Sequence, residues 1–110
     1  MKLVDIGNNN DGSYCIEFDK KPSLEDAARA IADEYKEFTG SEVYCRGPME
    51  RRETEVYYLL EREPSKPELE VRAPSDDSSP VFEVRAASFA SWFKSFHGYL
   101  QAKHCPDSEE

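Results

Sequence analysis

TEVYYLLEREPSKPELEVRAPSDDSSPVFEVRA, residues 54–86, decides the fold. From Thr54 to Arg62 the residues Val56, Tyr57, Tyr58, Leu59 and Leu60 run together, apolar on both faces of an extended chain, which predicts a strand placed centrally in a sheet. Pro64-Ser65-Lys66-Pro67 supplies a turn. Leu69, Val71 and Ala73 then alternate with Glu68, Glu70 and Arg72. After a loop at 74–80, Phe82, Val84 and Ala86 alternate with Val81, Glu83 and Arg85. That period of two marks strands with one face buried and one wet. Three strands joined through short connections predict an antiparallel meander.

Toward the N-terminus, a breaker at Gly47-Pro48 separates the meander from a short strand at 42–46. Before it, Leu24, Ala27, Ala28, Ile31, Tyr35 and Phe38 form a stripe at helical spacing. Ser23 is placed to cap that helix, with Asp26 three residues on, and Gly40 to stop it. Glu25, Arg29 and Asp33 follow one another at (i, i+4) on its polar side. Residues 2–6 and 13–18 read as a hairpin about the turn Asn8-Asn9-Asn10-Asp11-Gly12. At the other end, Ser88 is placed to cap a second helix running to about Lys103. Phe89, Trp92, Phe93, Phe96, Tyr99 and Leu100 make its aromatic stripe.

The predicted order is ββαββββα, an α+β fold. A four- to six-stranded, mostly antiparallel sheet has both helices on one side. The other side carries Glu55, Glu61, Glu68, Glu70, Glu83, Arg72 and Arg85. Residues 1–105 form one domain and 106–110 an acidic, frayed tail.

Hydrophobic residues are 38% and charged residues 34%, a globular balance rather than that of a disordered chain. Net charge is −9, which disfavours binding to nucleic-acid phosphates and to anionic lipid and suits a basic protein partner. No apolar run approaches the ~20 residues of a membrane helix, and Met1 to Ile6 meets an acid at once, unlike a signal peptide. With three cysteines, an odd number and none in a CxxC spacing, the chain reads as cytoplasmic.

Chemistry-bearing clusters are sparse. His97, His104 and Cys105 offer metal-ligand types without a second cluster to converge on, so neither metal nor cofactor is expected. Cys15 and Cys45 fall on strands, where cysteine serves as a small hydrophobe, and no flanking signature marks a nucleophile. The five glycines are scattered and form no phosphate loop. The one dense basic group, Arg46, Arg51 and Arg52, reads as a solvated loop. The expectation is a protein that is not an enzyme.

Two surfaces are candidates for a partner. One is acidic: Glu25, Asp33 and Glu37 on the first helix, with Glu68, Glu70 and Glu83 on the sheet, which as a nucleic-acid mimic would space carboxylates like phosphates, although arginines interleave them. The other is Trp92 and Tyr99 on the aromatic helix, as core or as interface anchors.

Val81-Phe82-Glu83-Val84-Arg85-Ala86-Ala87-Ser88-Phe89-Ala90-Ser91-Trp92-Phe93 is similar to the closing strand and helix of the SUKH superfamily. That superfamily includes many bacterial toxin-immunity proteins. Its front-end helix signature, around a Leu-Pro and a Gly-rich turn, is absent here, and the resemblance implies no binding residues. Composition and resemblance together lead to the expectation of an acidic inhibitor, a toxin-immunity protein or a phage-type antagonist such as an anti-CRISPR. It would block a basic, nucleic-acid-handling protein by surface complementarity. The alternative is an adaptor or chaperone-like module using the aromatic face. A homodimer through a sheet edge is compatible with either.

Overall fold

The computed structural model describes residues 3–8, 13–51, 55–73, 80–86 and 93–104. Strands β1 (Leu3–Asn8) and β2 (Tyr14–Phe18) precede helix α1 (Leu24–Thr39). Strands β3 (Tyr44–Arg51), β4 (Glu55–Glu63), β5 (Lys66–Arg72) and β6 (Val81–Ala86) lead to helix α2, described over Phe93–His104. The six strands form one sheet in the order β1-β2-β6-β5-β4-β3, every pair antiparallel. The ββαββββα order and the α+β class are those predicted from the sequence. The turn at 9–12, the proposed cap at Ser88, Trp92 and the tail lie outside the described residues.

Helix α1 forms where its signals stand. The Ser23 side-chain oxygen accepts the Asp26 backbone N–H at 3.1 Å, and Gly40 adopts the left-handed φ of 74° that closes a helix C-terminus. Its stripe of Ala27, Ala28, Ile31, Ala32 and Tyr35 is buried against the sheet. Burying an Ile-sized side chain contributes roughly 1.5–3 kcal/mol. The sheet answers with Tyr14, Ile16, Phe18, Leu60, Leu69, Val71, Phe82 and Val84, all buried, and α2 adds Phe96 and Leu100. The registers Tyr14↔Val84↔Val71↔Tyr58 and Ile16↔Phe82 carry this apolar face across the sheet.

Three details differ from the sequence-based expectation. The first concerns β3, which does not stop at Gly47-Pro48 but continues to Arg51. The breaker becomes a bulge. Arg46 pairs with Leu59 and Met49 with Tyr57, so three steps on β3 match two on β4. An edge strand tolerates proline there. Gly47 has φ 154°, and a Cβ at this position would lie 2.9 Å from the Tyr58 ring, so the bulge needs glycine.

The second is that β4 is internal but not central; the middle pair is β6 and β5. The N-terminal hairpin, rather than a neighbour in the meander, flanks β6.

The third is a pair of bulges where β4 meets β5. Leu60 pairs with Leu69, Glu61 with Pro67 and Glu63 with Lys66, so Glu68 and then Arg62 are each one extra residue. The two irregularities cancel in register. They also bring Glu68 to the helix side of the sheet, contrary to its predicted place on the open face.

Candidate functional site

Both helices cover one face of the sheet, and the described residues leave the other face open. Every second residue of each strand points there, so the alternation that builds the core also builds this surface. In the middle of it lies an ordered row of charge. Arg72 Nη2 is 2.8 Å from Glu55 Oε2, and its Nη1 is 3.4 Å from Glu83 Oε1. Arg85 Nη2 is 2.9 Å from Glu83 Oε2, which also accepts the Ser13 hydroxyl at 2.9 Å. Glu70 lies beneath, 6% exposed, with Arg72 Nε at 3.7 Å.

Nearer the β3 edge, Arg46 grips Glu61 with two N–H groups, at 2.7 and 3.2 Å. Glu61 is only 3% exposed. The Arg46 hydrogen bonds, helped by the Ser65 and Lys66 backbone N–H groups, hold its carboxyl below the usual range against the effect of burial. Around this pair stand Tyr44, 55% exposed, and the half-buried Met49, Tyr57 and Leu59. The registers Tyr44↔Glu61, Arg46↔Leu59 and Met49↔Tyr57 place all of them on the open face. Tyrosine, methionine and arginine are the residue types enriched in protein interfaces.

The sequence-predicted partner residues do not form one acidic row. Glu70 is buried, and Glu83 is shared between two arginines. Glu68, on the helix side, pairs with Arg62 Nε at 3.0 Å and accepts the Tyr35 hydroxyl. Burial first, and Glu68 second, raise that hydroxyl far above its ordinary range, so Tyr35 stays neutral and donates.

On α1, Glu25 pairs with Arg29 at 2.7 Å and Asp33 stands exposed. Glu37 accepts from Lys103 at 2.6 Å and from Tyr99 at 3.2 Å. The Lys103 hydrogen bond chiefly keeps its carboxyl low. Tyr99 therefore ties the two helices together. Its ring lies 5.3 Å from Phe38 and 6.3 Å from Phe96, with the Lys103 ammonium 5.8 Å away.

The other sequence candidates are separated. His104 Nε2 lies 3.0 Å from Glu34, whereas the His97 ring lies against Tyr14 at 4.9 Å. Among the described residues no three His, Cys, Asp or Glu side chains converge on a metal position. Cys45 packs against the core, where burial pushes its thiol pKa up and away from reactivity. No described helix is long and apolar enough to cross a membrane.

Tyr44, Met49, Tyr57 and Leu59 were not singled out from sequence as a surface. Their signal was present, since β4 is apolar on both faces while the helices can cover only one. Comparison with protein families, curated proteins and solved structures found no match to this chain.

Proposed function

We propose that this chain acts by binding another protein, as an inhibitor that docks on its target with the β3–β4 corner of the open sheet face. The observation that carries this reading is the juxtaposition of Tyr44, Met49, Tyr57 and Leu59 around the Arg46–Glu61 pair. Apolar and aromatic anchors beside a preformed ion pair suit a hot spot, in which rings bury into a partner and a fixed charge pair sets orientation.

A basic, nucleic-acid-handling target in the cytoplasm is the partner class that the net charge of −9 favours. Long-range attraction speeds encounter with a basic surface even where local carboxylates are already paired. The described residues hold 16 of the 23 acids and 12 of the 14 bases, so more than half of the net charge belongs to segments outside them. Inhibition therefore rests on surface complementarity and not on a carboxylate row imitating phosphates, because the sheet carboxylates lie against arginines. The likeness of residues 81–93 to SUKH immunity proteins agrees with an antagonist. The adaptor alternative has less support among the described residues, because Phe96 and Leu100 are buried and Tyr99 is engaged by α1.

The test is to capture the partner from the host and measure its affinity for wild type, Tyr44→Ala, Tyr57→Ala and Asp33→Lys. A hot spot predicts a loss of about 2 kcal/mol for each tyrosine variant, roughly thirtyfold in Kd, with Asp33→Lys near wild type. The converse result would move the contact surface to α1.

A further inference from the structure

Helix α2 holds both histidines of the chain, and their surroundings are opposite. In its last turn, His104 Nε2 lies 3.0 Å from a Glu34 carboxylate oxygen, so a proton there meets an acceptor. Two turns earlier, the Nε2 of His97 is buried and has no hydrogen-bond partner among the described residues. The His97 ring meets the Tyr14 ring of β2 at 64°, with centroids 4.9 Å apart.

Among the described residues, the groups on the elements packed against α2 offer no compensation. From β2, the facing titratable group is Tyr14, kept neutral by burial. From α1, Tyr35 reaches the neighbouring Phe96, while Glu34 and Glu37 face the last turn at Lys103 and His104. From β1, the contact is the Ile6 carbonyl, which accepts from Gln101. Asp5 of β1 pairs with Glu17 in the sheet register, on the face away from α2.

We infer that His97 is an acid-sensitive latch: a proton on its buried Nε2 forces α2 away from Tyr14 to reach water, and the α1–α2 seam opens. The surface then uncovered is aromatic, comprising Tyr14, Tyr35, Phe38 and Phe96. An aromatic binding face is thus stored inside the fold at neutral pH and released on acidification. Burial lowers the proton affinity of the closed imidazole below its ordinary 6.5. The open form binds the proton more tightly, so opening is favoured as pH falls below 6.5 and increasingly toward the closed-state pKa. The latch does not depend on the proposed inhibitor function, because it concerns the opposite side of the sheet.

The experiment follows fluorescence of a hydrophobic dye, anilinonaphthalene sulfonate, from pH 7.5 to 5.0 with wild type, His97→Phe and His104→Gln. Phenylalanine keeps a ring against Tyr14 and cannot take a proton. A several-fold rise is expected for wild type and His104→Gln and none for His97→Phe. No rise in wild type, or an equal rise in His97→Phe, overturns the latch. If His97→Phe fails to fold, the imidazole NMR titration of wild type decides. A His97 transition shared by the α2 amides supports the latch, and a His97 transition that leaves them unmoved overturns it.

Discussion

The two faces of the sheet are made by alternate residues of the same six strands, yet different forces hold them. On the helix side Ile16, Phe82, Leu69 and Leu60 are packed out of water, and the stabilisation scales with buried area and needs no particular partner. On the open side Glu55, Arg72, Glu83 and Arg85 meet in fixed pairs, and the stabilisation depends on geometry, salt and protonation. The first face therefore tolerates apolar exchange. The second loses its order when one charge is removed.

The largest test of that contrast is cavity formation. Phe82→Ala is expected to cost about 3–5 kcal/mol, measured by urea denaturation, whereas Leu59→Ala on the open face should cost about 1 kcal/mol. Equal losses would mean that the open face is a second core.

Next is the hub of the charge row. Arg72→Met leaves Glu55, Glu70 and Glu83 together without their shared cation. A loss of about 2 kcal/mol is expected, below the value for fully buried pairs because Arg72 is partly exposed, and it should shrink in high salt.

A smaller effect separates the faces by pH. Because the Glu61 carboxyl is held below its ordinary 4.5, its contribution is present above that value and is lost as pH falls through the folded-state pKa. Glu61→Gln should lower stability at neutral pH, where that contribution is present, and flatten the acid limb below pH 4.5, with stability at low pH less affected. An unchanged limb would show that the Arg46–Glu61 pair is not formed in solution. The smallest effect is at the β4–β5 turn, where Ser65 sits at φ 66°. Ser65→Gly should raise stability by about 0.5–1 kcal/mol in the same denaturation assay, through relief of the left-handed conformation.

Much of the helix-side architecture could be read from the sequence, because periodicity reports burial directly. Ser23, the Leu24–Phe38 stripe and Gly40 gave α1 nearly residue by residue. The alternation from Leu69 to Arg72 and from Val81 to Ala86 gave β5 and β6. What could not be read was anything that depends on distant pairing. The continuation of β3 past Pro48 requires an edge position, and edge positions are set by strand order. Glu68 alternates with Glu70 in the sequence, and only its place as the extra residue between the Leu60–Leu69 and Glu61–Pro67 pairs turns it to the helix side. The acids and arginines of the open face were visible as residue types. Their pairing was not, and it ties the sheet carboxylates Glu55, Glu61, Glu70 and Glu83 to arginines in fixed geometry. Tyr99 was left open between core and interface, and the structure gives it to α1 through Phe38 and Glu37.

The Gly47–Pro48 bulge has a consequence for self-assembly. A β-strand at the border of a sheet presents backbone groups to which any passing extended chain can add, the first step toward fibrous aggregation. Along β3 the would-be seventh strand meets a ladder one residue out of step, a position with no N–H to offer, and charged Arg46 and Glu50 on either side. Growth of the sheet ends there. The β3 border is thereby a poor template for a further strand.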